Sequence, residues 1–189
     1  MKILLAASEA VPFCKTGGLG DVVGSLLSAL RGLRHDARLV LPKHRAINEK
    51  RFGLRRLPYR LTLPLGDGDE TAALWEARLH RTAPVYFVDA PKYFDRAGLY
   101  VDETGRDFAD NDDRFILFSR AVLETAKAVD FRPDVLHAHD WQTGLAPAYL
   151  STVYRHDAFF IPTAACFTVH NMAYQGLFPK DALFRAGFS

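Results

Sequence analysis

Apolar residues recur along this chain in two alternating rhythms. Lys2-Ile3-Leu4-Leu5-Ala6-Ala7 is a short, nearly continuous apolar run, the pattern of a strand buried on both faces of a parallel sheet. Leu19, Val22, Val23, Leu26, Leu27, Leu30 and Leu33 then repeat at helical spacing, and Ala37-Arg38-Leu39-Val40-Leu41 returns to strand. Between 55 and 79 the pattern changes: Tyr59-Arg60-Leu61-Thr62-Leu63 and Ala72-Ala73-Leu74-Trp75-Glu76-Ala77 flank Gly66-Asp67-Gly68-Asp69, which predicts an inserted hairpin. Val85-Tyr86-Phe87-Val88 is another strand, and the polar stretch 89–110 reads as a loop long enough to suggest a functional role. Asp110 or Asn111 is placed to cap the next helix, with Asp112 and Asp113 in its first turn and Phe115, Phe118, Val122 and Leu123 on its apolar side. Residues 133–140 and 163–169 predict two more strands, residues 141–153 a helix between them, and Asp181–Arg185 the start of a last helix.

Strands alternating with helices imply an α/β fold with a doubly wound, mostly parallel sheet and right-handed crossovers. In such sheets ligands bind beyond the carboxyl ends of the strands. Three predicted strand ends carry polar residues: Lys15 to Asp21, His137 to Asp140, and His170-Asn171. They are expected to converge on one crevice.

The first of these ends, Lys15-Thr16-Gly17-Gly18-Leu19-Gly20-Asp21, joins a cation to three flexible positions just before a helix. Free N–H groups and the positive end of the helix dipole suit a phosphate-bearing ligand. A Walker loop does not fit, because the lysine precedes the glycines. A dinucleotide fingerprint fits poorly as well. The glycines follow the first strand only after a long interval, and the second strand leads into Lys43, His44 and Arg45 rather than an acid for a ribose. By themselves the glycines also suit a long surface loop that turns.

Composition narrows the class. The 189 residues are 49% apolar, enough for one α/β domain with a sizeable core, and the net charge is +2. The one basic cluster, Lys50, Arg51, Arg55, Arg56 and Arg60, lacks interleaved aromatics and reads as a solvated face rather than a site for a polyanion or polysaccharide edge, so no nucleic-acid partner is expected. Cys14 and Cys166 form no metal-like pair, which points to a reducing compartment. The first apolar run is too short for a signal peptide, since Glu9 interrupts it and Pro12 follows, and no segment approaches a membrane span. A cytoplasmic protein without membrane contact is expected.

His137 and His139 alternate on a strand, so both rings should share a face of the sheet, with Asp140 at the loop. With His170 as a third ligand, that arrangement would suit a metal-dependent hydrolase. Satisfied core or supporting histidines are the other reading.

Read together, the motifs carry a family resemblance. Lys15-Thr16-Gly17-Gly18-Leu19-Gly20-Asp21-Val22, His137-Ala138-His139-Asp140-Trp141-Gln142-Thr143-Gly144-Leu145 and Phe167-Thr168-Val169-His170-Asn171-Met172-Ala173-Tyr174-Gln175-Gly176 occur in this order. The chain resembles the N-terminal portion of bacterial glycogen synthases and plant starch synthases over its whole length. The resemblance implies the Rossmann-like N-terminal domain of a GT-B glycosyltransferase, which moves glucose with retention from ADP-glucose to the non-reducing 4-hydroxyl of an α-1,4-glucan. It implies no cofactor and no metal, ADP-glucose being a substrate. Carried over by motif, Lys15, Gly17 and Gly18 would meet the donor diphosphate, Asp21 would lie near the donor or glucan, and Asp140 would hold the sugar or acceptor end. His170 and Asn171 would bond the glucosyl unit, with the His170 carbonyl near the developing oxocarbenium centre. Tyr93 and Tyr100 could stack on sugar or adenine faces or equally pack as ordinary core aromatics, Trp141 is expected to pack helix to core, and His137 and His139 become architectural.

Members of that family are about twice as long or more, and a second domain supplies an Arg, a Lys and a Glu-containing motif. Residues 1–189 are therefore expected to be an incomplete N-terminal domain without the C-terminal one, with an uncovered sheet edge or apolar face. Alone it should bind donor weakly and not turn over. A catalytically dead glucan-binding module is the remaining alternative, and the sequence leaves the oligomeric state open.

Overall fold

The computed structural model describes residues 1–188. In chain order its elements are β1 (Lys2–Ala6), α1 (Gly18–Gly32), β2 (Asp36–Pro42), α2 (Glu49–Phe52), β3 (Arg55–Leu65), β4 (Gly68–Leu79), β5 (Ala83–Asp89), α3 (Pro91–Phe94), α4 (Asn111–Ala128), β6 (Val135–His139), a 3₁₀ turn (Trp141–Thr143), α5 (Leu145–Ser151), β7 (Ala164–Thr168) and α6 (Asp181–Arg185). The seven strands form one sheet in the order β3-β4-β5-β2-β1-β6-β7. Neighbours from β5 through β7 are parallel, whereas β4 runs antiparallel to β5 and to β3. The hairpin read from the Gly66-Asp67-Gly68-Asp69 turn thus extends one edge of an otherwise parallel sheet, and its basic residues Arg55, Arg56 and Arg60 are exposed as expected.

The period of two along β1 decides which layer each side chain enters. Ile3 and Leu5 pack with Leu19, Val23 and Leu27 of α1, while Leu4 and Ala6 pack with Phe118, Val122 and Leu123 of α4. Helices cover both faces, so both β1 faces are apolar. Close approach of α1 to the loop before it depends on Gly24, where a Cβ would stand 2.4 Å from the Val11 carbonyl oxygen. At that contact the Val11 N–H donates to the Gly20 carbonyl at 3.0 Å.

The stretch 89–110 is more ordered than a long loop. It begins with the single turn α3, and the buried Arg114 of α4 pins the rest. Arg114 donates to the carbonyls of Tyr93 (2.8 Å) and Leu99 (2.9 Å) and to Asn111 Oδ1 (2.6 Å). Burial, then the charge of Arg96, lowers its pKa to about 10, so it keeps its proton at neutral pH. The rings of Phe94, Phe108 and Phe115 face the guanidinium in place of a carboxylate.

Two local expectations need correction, and one left open is decided. Neither Asp110 nor Asn111 caps α4 with its side chain: the Asp110 carboxylate is drawn to Arg96 at 2.6 Å, and Asn111 spends its amide on Tyr100 O and Arg114. The helix expected over 141–153 is split at Gly144 into the 3₁₀ turn and α5. Tyr93 is buried against Phe94 with its hydroxyl on Glu70, so it cannot stack on a ligand.

At the other edge, β7 pairs only with β6 among the described residues, and its side chains are largely exposed, Phe167 at 46%. An apolar groove of about 660 Å³ runs beside it between Phe115, Trp141, Leu145, Phe167, Leu177 and Leu183. The uncovered edge expected from the sequence is present. No helix among the described residues is long and apolar enough to cross a membrane.

Candidate active site

Beyond the carboxyl ends of β1, β6 and β7 lies a crevice of about 940 Å³. Gly17, Gly18, Asp140, His170 and Asn171 line it, so residues from all three polar strand ends meet. Lys15 and Asp21 are outside that lining. They pair with each other at 2.6 Å, both about half exposed.

The glycine loop is organised by a residue that the sequence reading passed over. Glu9, 3% exposed, sits just past the end of β1, and its carboxylate accepts the N–H and hydroxyl of Thr16 and the N–H of Gly17. Tyr100 donates its hydroxyl to the same carboxylate at 3.0 Å and lies 2.6 Å from Ser8 Oγ. Burial, then the Glu9 charge, holds the Tyr100 phenol well above its ordinary pKa, which keeps it a donor. Tyr100 lines the crevice, but its hydroxyl serves the loop. The N–H groups of Thr16 and Gly17 are therefore already occupied. No side chain caps α1 at Gly17, which leaves the first-turn N–H groups of the helix to meet an anion. A lone carboxylate inside an apolar stretch at the end of the first parallel strand was the available signal for Glu9; in the sequence it served only to exclude a leader.

The β6 and β7 ends are tied together by hydrogen bonds. Asp140 has φ 57°, in the left-handed region, and its N–H donates to Thr168 O at 2.9 Å. Its Oδ1 accepts the His170 N–H at 2.6 Å. Thr143 Oγ1 bonds both the N–H (2.7 Å) and the carbonyl (2.8 Å) of His139. His137 and His139 do share a face, with ring centroids 4.1 Å apart. His137 Nε2 bonds Thr168 Oγ1 at 2.8 Å, and His139 Nδ1 bonds His170 Nε2 at 2.9 Å. Burial, then the neighbouring His137 and His170, lowers the His139 pKa to about 3, and burial and His170 also lower that of His137. Three of the six ring nitrogens are thus committed to protein partners, and among the described residues no three His, Cys, Asp or Glu groups are placed to share a metal ion. The hydrolase alternative has no support in this geometry.

Trp141 packs edge-on against Phe115 at 4.9 Å and against Phe178 at 5.3 Å, the core contact expected of it, while one side borders the crevice. Gly176, at φ 63°, passes directly over its indole, where a Cβ would stand 2.5 Å from the ring.

Chemically, the crevice offers hydrogen-bonding groups from three strand ends and three carboxylates, Glu9, Asp107 and Asp140. No Lys or Arg lines it among the described residues.

Comparison with known proteins identifies relatives of the whole chain. Residues 2–189 match the family described as starch synthase catalytic domain. The chain is 52% identical over 195 residues to a glycogen synthase of Elusimicrobium minutum, covering 100% of this chain and 39% of the relative. It is 48% identical over 185 residues to glycogen synthase 1 of Geobacter sulfurreducens, covering 97% and 37%. Among solved structures it resembles the catalytic domain of starch synthase IV from Arabidopsis thaliana bound to ADP and acarbose, with a TM-score of 0.85, 31% identity, and coverage of 100% of this chain and 37% of that one. The chain therefore spans well under half of the relatives it matches. With the whole of its length matched in this way, the chain belongs to the starch synthase catalytic domain family.

Proposed function

We propose that this chain supplies the donor-side half of a cytoplasmic, retaining glucosyltransferase that moves glucose from ADP-glucose to the non-reducing 4-hydroxyl of an α-1,4-glucan, without metal or cofactor. The observation that carries the proposal is the meeting of Gly17-Gly18, Asp140 and His170-Asn171 in one crevice. The ADP and acarbose bound to the Arabidopsis relative are a nucleotide and a glucan-like ligand of the expected kinds.

In this reading the first turn of α1 and Lys15 meet the diphosphate, where negative charge grows as the sugar–phosphate bond breaks. Asp21 partly neutralises Lys15 until a donor or glucan arrives. At the other end of the breaking bond, positive charge grows on the sugar ring, and the His170 main chain, held through its N–H by Asp140, keeps its carbonyl oriented toward that charge. The side chains of His170 and Asn171 bond the glucosyl hydroxyls, and Asp140 borders the sugar or acceptor end.

Charge accounts for why these 189 residues alone are expected not to turn over. A diphosphate brings about two negative charges to a crevice whose lining holds three acids and no Lys or Arg, and Lys15 beside it is paired with Asp21, so further cations are expected from the rest of the full-length protein.

The test is transfer of labelled glucose to glycogen by the full-length protein. Expected are incorporation from ADP-glucose with α-retention, indifference to chelators, and no transfer by residues 1–189. Absence of transfer, or metal-dependent hydrolysis instead, would overturn the proposal, and glucan binding indifferent to nucleotide would favour a binding module.

A further inference from the structure

His139 is buried, 1% exposed, yet one of its ring nitrogens points at a residue of the crevice. Nδ1 lies 2.9 Å from His170 Nε2, whereas Nε2 is buried without a partner among the described residues. The ring is fixed on its flank by His137, whose Nε2 is in turn held by Thr168 Oγ1. The main chain of His139 is fixed by Thr143 on both its N–H and its carbonyl.

A pKa near 3 means that His139 is neutral at working pH and carries one ring proton. Two placements are available. With the proton on Nε2, a buried N–H is left with no acceptor, the rarer and more costly kind of orphan. With the proton on Nδ1, that N–H donates to His170 Nε2, and only a bare lone pair is left inside.

We infer that His139 is a positioning residue: it donates its Nδ1–H to His170 Nε2 and thereby holds His170 as the tautomer protonated on Nδ1. The remaining His170 nitrogen is then a fixed donor for a ligand hydroxyl in the crevice that His170 lines. Two consecutive residues at the end of β6 so divide one task, Asp140 holding the main chain of His170 and His139 holding its ring. The catalytic consequence rests on the sugar-contacting role proposed above for His170, but the tautomer does not.

The experiment uses the full-length protein with ¹⁵N-labelled histidine, the His170 ring signals being assigned by their loss in His170→Gln. The wild type is expected to show His170 Nδ1 as a protonated nitrogen and Nε2 as a bare one. His139→Asn, whose amide N–H falls near the position of Nδ1, should preserve that pattern and keep kcat within about threefold, while His139→Leu should abolish the pattern and lower kcat about tenfold, the worth of one hydrogen bond. His170 protonated on Nε2 in the wild type would overturn the inference. So would an unchanged tautomer in His139→Leu, or a changed tautomer with unchanged transfer. A wild-type protein with no ADP-glucose activity would sink the functional reading instead, and the nitrogen spectrum would still decide this one.

Discussion

The carboxylate of Asp140 accepts the main-chain N–H of His170 at 2.6 Å, across the adjacent ends of β6 and β7. Asp140 makes this bond while holding φ 57° and ψ 176°, an extended conformation at positive φ that is rare for any residue but glycine. Loss of a charge-assisted hydrogen bond costs about 1.5–3 kcal/mol, while the strain of a positive φ is already carried by the wild type, since Asp has a Cβ as Ala does. Asp140→Ala is therefore expected to destabilise the protein by about 1.5–3 kcal/mol, while Asp140→Asn, which keeps an acceptor, loses less than half of that. Urea unfolding of the two variants checks this, and equal losses would show that the bond does not hold the site.

Lys15 and His170 are expected to matter for transfer, and neither substitution is expected to unfold the protein. Removal of a group that stabilises transition-state charge typically costs about 2–4 kcal/mol, so Lys15→Ala and His170→Ala in the full-length enzyme should each lower kcat/KM by roughly 30-fold to 1000-fold. The Lys15–Asp21 pair is half exposed, and such pairs contribute about 0–1 kcal/mol, so Lys15→Ala should leave Tm nearly unchanged. Near-normal kcat/KM in either variant would remove that residue from the site.

Glu9 binds four donors at once, and Gln offers only one acceptor oxygen for them. Glu9→Gln should loosen the glycine loop, raise the ADP-glucose KM about tenfold, and leave the glucan KM close to its wild-type value. Amide exchange at Thr16 and Gly17 should quicken in the same variant. If both KM values moved together, Glu9 would be a general structural residue and not the organiser of the donor loop.

His44, 1% exposed, donates through Nε2 to Ser8 O at 3.0 Å; burial, then the charge of Arg114, pushes its pKa down to about 3. His139 behaves in the same way. Both are neutral when folded but take up protons below about 6.5 when unfolded, so between those values the unfolded state binds more protons and stability rises with pH. The contribution is fully present above pH 6.5 and is lost as pH falls toward 3, at about 1.4 kcal/mol per pH unit for each histidine. Unfolding midpoints for wild type and His44→Gln between pH 4 and 7 test this: the variant should show a shallower dependence, by about one proton. An unchanged slope would mean that His44 charges inside the folded protein.

How much of the site was legible depended on the distance over which its parts interact. The glycine loop, the His137-Ala138-His139-Asp140 end and His170-Asn171 are contiguous stretches, and each announced itself by residue type at a strand end. Glu9 did not, because its function is to receive donors from Thr16, Gly17 and Tyr100, the last 91 residues away. Tyr93 and Tyr100 were equivalent as aromatic residues of one polar stretch. Their fates diverge because Arg114 pins the chain between them, turning Tyr93 inward to Glu70 and Tyr100 toward Glu9.

The sequence by itself determined the α/β architecture, since the period of two in β1 and the helical period in α1 are local consequences of backbone geometry. It also determined which strand ends bring polar residues to the crevice. Only the tertiary structure decided the partners: that β6 and β7 lie side by side, so that Asp140 and His139 grip His170, and that Glu9 fills N–H groups a ligand could have used. Periodicity tells a side chain which face to take. It carries no information about the residue it will meet there, which is set by how the crossovers bring distant strands into register.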